Sequence, residues 1–481
     1  MYNGNTVFFK VDGNNIKTIG DNQYLQAGLG EDFDSIKNIT TVPIKDVANI
    51  YSNGETTFFL LKNGKVKGCG MNDKFQMGLP NTIDSDCYDL VDIPIDNVKE
   101  ISVGTKYTIF ILRDGTVKGC GVNDHFQLGL YEPTDYVRKI TTLPIKDVRH
   151  AYCNTNHTIF LLKNLTVKVC GQNKMRVLGL EMEGQNYLIT ELKDMINVKR
   201  VVSTENNTFF VTGSGTKRYV TACGSNLNYQ IGMADRFYKY GLCLLQMEDI
   251  RDVYANKVRS FFLTHPGKVL CCGSNYNKEL GISGGNYVNT IKEIPGLSRV
   301  NLIIPAQNYT IFLMKNGTVK GCGKNELGQL GLGDTRPRNT IVDIPIQNVS
   351  KIVANDENVF YILKDGTVMA CGGNSFGQLG LGDEESRRTL TKVPNINLKQ
   401  YGFIIKQDNK FYSIKNEYYK NGYFKELDLD QLSYLNLGDD AFTDLSDFYS
   451  SFYVESEGKC IRPMDLFSND AKILIYSKYR S

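Results

Sequence analysis

The chain has no tryptophan, only 12 prolines and only four histidines in 481 residues. The lack of Trp excludes a propeller built on Trp-Asp repeats. So few prolines, beside 45 glycines, indicate many tight turns rather than proline-rich linkers. Four histidines (His125, His150, His157 and His265) argue against a His-rich metal site and weaken any His-based catalytic reading. Charge of one sign is also missing: 55 Lys and Arg face 52 Asp and Glu, a formal net charge of +3. Strong phosphate binding from net charge is therefore not expected, and nucleic acid is not an expected partner. No apolar run approaches membrane-spanning length, so no membrane insertion is expected. The start, MYNGNTVFFKVDGNN, has neither a basic n-region nor a long apolar stretch. We expect a chain made in the cytoplasm without a signal peptide. Lys greatly outnumbers Arg, and Asn, Ile and Tyr are abundant, a bias that fits an AT-rich genome.

What is present is enough for a large core: 41% hydrophobic and 11% aromatic residues. Length alone would suggest about three domains at about 100–200 residues each. The internal repeat points instead to one periodic structure. The clearest unit runs from Thr108 to Gly121 and returns at 57–70, 158–171, 310–323 and 359–372. Weaker copies occupy 7–20, 208–224 and 260–273. The closing glycines, Gly20, Gly70, Gly121, Gly171, Gly224, Gly273, Gly323 and Gly372, are 49 to 53 residues apart. Each unit reads as a β-hairpin. An apolar run meets Asp-Gly or Asn-Gly, as at Asp12-Gly13, Asn63-Gly64, Asp114-Gly115, Asn316-Gly317 and Asp365-Gly366. The apolar run does not alternate, which predicts a strand buried on both faces. An Asn two residues after each closing Gly predicts a structural turn. Gly-Gln-Leu-Gly-Leu-Gly-Asp follows at 328–334 and 377–383, and Pro-Ile-x-x-Val later in the unit is expected to start the next strand.

The ordered submotifs Asp-Gly-Thr-Val-x-x-Cys-Gly-x-Asn and Gly-Gln-Leu-Gly-Leu-Gly-Asp resemble the repeat of the regulator of chromosome condensation superfamily. The resemblance covers about residues 1–398. It implies an all-β, closed β-propeller of four-stranded blades, usually seven. Eight hairpins are recognisable here, so seven or eight blades remain open. After residue 398 the spacing shortens, Cys-Gly is lost and Tyr becomes frequent. We expect residues 399–481 to form a degenerate repeat or a small docking or capping extension. Two degenerate hairpins are expected there, at 403–412 and 452–461, with an acidic stretch from Glu426 to Asp447 and a helix expected within 428–447.

Candidate chemistry is sparse. Seven of the 12 cysteines recur at one repeat position: Cys69, Cys120, Cys170, Cys223, Cys272, Cys322 and Cys371. Copies a blade apart are too distant for disulfides, and buried packing explains them. The Gly-rich segment at 328–334 lacks the Gly-Lys-Ser/Thr ending of a phosphate loop. The acidic stretch has no EF-hand spacing, so a solvated surface is expected and no metal site is assigned. His157 stands where Tyr107 and Tyr309 stand in other units, and reads as a packing variant. No catalytic residue and no cofactor are expected. What remains is surface. The segments before Pro-Ile break the repeat and carry Tyr131, Tyr136, Arg138, Arg236, Tyr238, Tyr240, Tyr287, Arg336, Arg338, Arg387 and Arg388. Tyr and Arg are favoured contact residues, so these are the candidate binding positions.

The resemblance and composition together suggest a non-enzymatic binding or structural propeller of a phage tail fibre or baseplate, or of a phage-tail-like particle, from a low-GC Gram-positive host. On that reading the propeller loops meet a bacterial cell-surface polymer or protein, and the extension docks on particle proteins. A guanine-nucleotide exchange factor or chromatin-binding propeller is the alternative. A protein-inhibitor propeller is a further one.

Overall fold

The computed structural model describes residues 2–397 apart from 4–5, 11–14, 31–33, 80–86, 132–134, 215–216 and 238; beyond 400 it describes the backbone of short strands. The Asp12-Gly13 turn therefore lies outside the described residues.

Eight four-stranded antiparallel sheets follow one another along the chain. They occupy residues 2–42, 47–93, 98–146, 148–191, 198–244, 250–293, 300–344 and 349–397, here blades 1 to 8. Blade 3 shows the pattern: Val98–Val103, Tyr107–Leu112, Thr116–Val122 and Tyr136–Lys146, each strand paired to the one before it. The first strands of successive blades adjoin one another, which puts them around the central axis and the fourth strands at the rim. The protein is an eight-bladed propeller, so the seven-blade alternative is ruled out.

The second strand, such as Tyr107–Leu112, is buried along its whole length. Its two faces pack against two different blades. Phe58 of blade 2 meets Phe110 of blade 3 edge-on at 5.8 Å, and Phe261 of blade 6 meets Phe312 of blade 7 at 6.0 Å. Burial on both faces is what the non-alternating apolar run requires. The Pro-Ile segment differs from expectation. Its Val opens the innermost strand, as in Val47–Ser52 and Val349–Ala354, but Pro and Ile stay behind in the link or the preceding rim strand. There Ile44 N–H bonds to Val42 O at 2.7 Å, a tight turn that keeps the proline off the ladder.

The recurrent cysteines form a stitch between blades. Each thiol is buried and points at a backbone carbonyl in the turn of the preceding blade. Cys69 reaches Gln26 O at 3.4 Å, Cys170 reaches Gln127 O at 3.3 Å and Cys371 reaches Gln329 O at 3.4 Å. All described cysteines are free thiols. Burial pushes the Cys120 thiol far above its ordinary pKa and the Cys153 thiol up to about 12.

The eighth blade ends at Asn397. Beyond it, Tyr401–Gln407 pairs with Lys410–Ile414, and Val454–Ser456 with Lys459–Ile461, at the two degenerate hairpins. Lys472–Ser477 pairs with Tyr401–Gln407. Of the acidic stretch, Glu426 and Asp444 lie on two-residue strands. Its other positions, and the helix expected over 428–447, lie outside the described residues.

Candidate functional face

An up-and-down blade sends its first-to-second and third-to-fourth connections to the same face. The opposite face receives the Asp-Gly and Asn-Gly turns and the links between blades. Every described candidate position lies in a third-to-fourth connection or early in a fourth strand. The fold therefore gathers them on one face, in different sectors of it.

Each long connection is built on the recurrent Asn. Its side chain accepts from the backbone N–H five residues on and donates to a carbonyl further along. Asn123 accepts from Leu128 N at 3.0 Å and donates to Leu130 O at 3.1 Å; Asn374 accepts from Leu379 N at 2.8 Å and donates to Asp383 O at 2.9 Å. In every blade but the fourth, which has Val177, the following Gln or Glu closes the turn by accepting from the N–H two residues before it, as Gln127 does from His125 N at 2.9 Å. Between them lies a residue in the left-handed region, Phe75 at φ 59° and Tyr229 at φ 61° among them. Where blades 7 and 8 have Gly328 and Gly377 at this position, the neighbouring backbone comes closer. A Cβ on Gly328 would lie 2.5 Å from Arg388 Cα.

Two seams carry aromatic and cationic clusters of the same design. Between blades 2 and 3, Phe75 meets Tyr136 edge-on at 5.9 Å, and the Arg138 guanidinium lies 4.9 Å from the Phe75 ring centre. Between blades 5 and 6, Tyr229 meets Tyr287 at 5.6 Å, and Arg236 lies 5.5 and 5.1 Å from the two ring centres. Arg236 also donates from Nε to Leu227 O at 2.8 Å. Tyr276 extends the second cluster, edge-on to Tyr287 at 5.2 Å with the two hydroxyls 2.7 Å apart.

Blades 7 and 8 use their arginines differently. Arg338 bonds both oxygens of Asp334, at 3.0 and 2.9 Å, and Arg336 bonds Asp334 Oδ2 at 2.9 Å. Arg387 bonds Asp383 at 2.5 Å. The guanidinium groups hold the Asp334 carboxyl well below the usual range. These three arginines brace their own loops. Arg388 is exposed, and its carbonyl accepts from Gly333 N at 2.8 Å. Tyr131 is 80% exposed in blade 3. Tyr240 lies on the rim strand Lys239–Leu244, and Tyr238 lies outside the described residues.

Several surface residues escaped the sequence reading: Leu227, Phe237 and Tyr276 are exposed on this face, at 37%, 71% and 55%. Repeat phase held a signal for two of them. The position after the recurrent Asn is polar in six blades (Gln23, Asp73, Asp124, Lys174, Glu326 and Ser375) and apolar or aromatic only at Leu227 and Tyr276.

The sequence reading also missed a buried ion pair, Arg259 to Glu279 at 2.6 Å, with both side chains almost wholly buried. Arg259 further donates to Ser274 O, Ala306 O and Gln307 O at 3.1, 3.1 and 2.7 Å. His157 is buried beside Ser203, its ring 3.4 Å from Ser203 Oγ, and desolvation lowers its pKa to about 4. Among the described residues, no three His, Cys, Asp or Glu side chains converge as metal ligands would, and no helix is long and apolar enough to cross a membrane.

A family model for the regulator of chromosome condensation repeat matches residues 349–378. No curated protein matches the chain. Among solved structures, human WBSCR16 is similar over 68% of this chain and 94% of its own, at 17% identity and TM-score 0.54. Prp20p of Saccharomyces cerevisiae, described with its binding to Gsp1p and histones, is similar over 84% and 92%, at 14% identity and TM-score 0.53. The same yeast protein bound by Kap60 gives 87% and 91%, at 17% identity and TM-score 0.53. These likenesses show a shared propeller fold, and the match to the repeat model covers residues 349–378.

Proposed function

We propose that this propeller is a non-catalytic binding module that meets a macromolecular surface through the face bearing the long third-to-fourth connections. One observation carries the reading. The repeat keeps its cores and turns alike from blade to blade, yet the exposed positions on this face diverge, with aromatic side chains in blades 1, 3, 5 and 6 and arginine braces in blades 7 and 8. Exposed aromatic side chains clustered on one face of a rigid scaffold mark contact surfaces. The finer reading is a tail-fibre or baseplate component of a phage or phage-tail-like particle, binding a cell-surface polymer or protein of a low-GC Gram-positive host. It is supported by the AT-biased composition, the free thiols and the extension after residue 397. Co-sedimentation of the full chain with intact Gram-positive cells tests it. Saturable binding to some strains and not others is the expected result; no binding to any strain sinks the receptor role.

A second reading is favoured by the likeness to Prp20p, a protein described with its binding to Gsp1p and histones. On that reading the same face would engage a small GTPase or histones. Acceleration of guanine-nucleotide release from a small GTPase, measured with a fluorescent nucleotide, separates the two.

A further inference from the structure

We infer that the acidic stretch 426–447 of this chain docks on a cationic ring around the propeller axis, on the face opposite the candidate binding face. This contact lies on the other face, so it stands or falls apart from the binding reading above.

The repeat builds the ring. Three positions of each blade meet there: the residue before the innermost strand, the second residue of that strand, and the residue after the second strand. A backbone bond joins the first to the third, Lys62 N to Asp46 O at 2.9 Å and Lys364 N to Asn348 O at 2.8 Å. Lys62, Arg113, Lys163, Lys315 and Lys364 follow the second strands. Lys99, Arg149, Lys199 and Arg251 stand second in the innermost strands of four successive blades, and Arg299 precedes that of blade 7. Across blades 2 to 8 the three positions hold ten Lys and Arg against three Asp, at 46, 147 and 249. All ten cations but Arg251 are exposed or half-buried. Two ion pairs form among them, Lys62 with Asp46 at 3.9 Å and Lys163 with Asp147 at 3.8 Å, both long and exposed. With every Asp of the ring matched to a cation, seven positive charges are left over. The other charges of the described turns and links on this face nearly balance, four Lys against five Asp and Glu. The third residues of the innermost strands balance too, Arg200 and Lys351 against Glu100 and Asp252.

The other end of the axis is the contrast. Its described first-to-second turns carry Glu55, Glu205, Asp356 and Glu357 against Lys106 and Lys257. The cationic excess therefore belongs to one face, although the chain as a whole has a formal net charge of only +3. Charge of one sign concentrated on a small area attracts a segment of the opposite sign.

The route of the chain names the occupant. The last strand of blade 8 ends at Asn397, which pairs with Thr367 just after the Asp365-Gly366 turn. The chain thus leaves the propeller on the cationic face. Glu426, 29 residues on, begins a stretch that reaches Asp447 with seven Asp and Glu and no Lys, Arg or His. A tethered segment meets the face at the effective concentration its linker sets, which favours it over a free polyanion or a second copy.

Zero-length carbodiimide coupling of the full chain tests the contact. The reagent activates a carboxylate, the amine of a touching lysine attacks it, and an amide forms as the carboxylate oxygen leaves with the urea by-product. Mass spectrometry of the digest should find residues of 426–447 joined to Lys62, Lys99, Lys163, Lys199, Lys315 or Lys364, and not to Lys106 or Lys257. Lys67 and Asp92, 2.8 Å apart in blade 2, are the internal control. Lys99→Gln, Lys199→Gln and Lys364→Gln together should cut the links to the remaining three lysines about fivefold. All three positions are exposed, and an equal thermal midpoint would show that the variant folds. A mixture of isotope-labelled and unlabelled protein should give links within one isotopic form only. Links between the two forms would assign the face to a second copy and overturn the inference. The control link without links from 426–447 to the ring would overturn it as well. Equal yields at Lys106 and Lys257, or undiminished links in the triple variant, would do the same.

Discussion

Arg259 looks like an anomaly until its repeat position is compared. Tyr107 and Tyr309 occupy the same place in blades 3 and 7 and reach into the next blade, Tyr107 to His157 O at 2.6 Å and Tyr309 to Asn355 O. Arg259 makes the same reach to Ala306 O and Gln307 O, and it carries a charge there. Where other blades have Gln127 or Gln329, blade 6 answers with Glu279. The two departures form one compensated change. Glu279→Gln alone should cost about 3 kcal/mol, because it leaves a buried guanidinium without a counter-charge. Arg259→Tyr alone should cost about as much, and the double substitution should recover most of the loss by restoring the uncharged Tyr and Gln that blade 7 has at these positions. Urea midpoints of the four proteins check this; additive losses would refute the coupling. His157 makes a pH prediction from the same position. Its folded pKa, about 4, lies below the ordinary 6.5, so the unfolded chain binds the extra proton. Its stability contribution is complete above pH 6.5 and falls as pH drops toward 4. The loss approaches about 3 kcal/mol at the acid end, at about 1.4 kcal/mol per pKa unit. His157→Tyr should remove that part of the acid limb, seen as a smaller drop in urea midpoint between pH 7 and pH 4.5.

At the scale of the element, the third-to-fourth connection depends on very few side chains. Asn123→Ala removes an acceptor from the buried Leu128 N–H and a donor from Leu130 O, and should cost about 2 kcal/mol. Asn123→Asp should cost less, because it keeps the acceptor. Thermal denaturation of the two variants tests the order, and equal losses would show that the acceptor is not what matters. The thiol stitch predicts chemistry as well. Cys120, Cys170 and Cys322 should resist iodoacetamide in the native protein and react after unfolding, because burial keeps each protonated. These elements were legible in the sequence because they are local and repeated: hairpin turns, Asn turns and apolar strands recur in phase. The arginine braces were not. Arg338 and Arg387 look like free contact residues until the loop folds back and places Asp334 and Asp383 four residues upstream against them. Tyr276 and Phe237 were missed for the opposite reason. Exposure is set by how neighbouring blades stack, and a single repeat does not contain that information.

At the scale of the whole molecule, blade number is a property of closure, and closure joins residues more than 300 positions apart. A sequence that counts eight hairpins therefore leaves seven and eight blades both open. The ring closes where blade 8 meets blade 1. Phe9 packs edge-on to Phe360 at 5.8 Å, Lys37 pairs with Glu384 at 3.0 Å, and Gly382 N–H bonds to Lys37 O at 3.2 Å. This seam differs from the other seven in one described respect. Ile19 stands where every other blade has the stitching cysteine, so no thiol reaches the carbonyl of Gln378. The missing interblade thiol contact makes this the seam where local opening is easiest. Amide hydrogen exchange should show Thr6–Lys10 and Ile16–Asp21 losing protection before the matching strands Tyr107–Leu112 and Thr116–Val122 of blade 3. Phe360→Ala should widen that gap by weakening the aromatic contact with Phe9 across the seam. The corresponding change in blade 2, Phe58→Ala, should lower global stability while leaving blade 1 still the first to exchange. Uniform exchange around all eight blades would mean that the ring opens cooperatively, with no weakest seam.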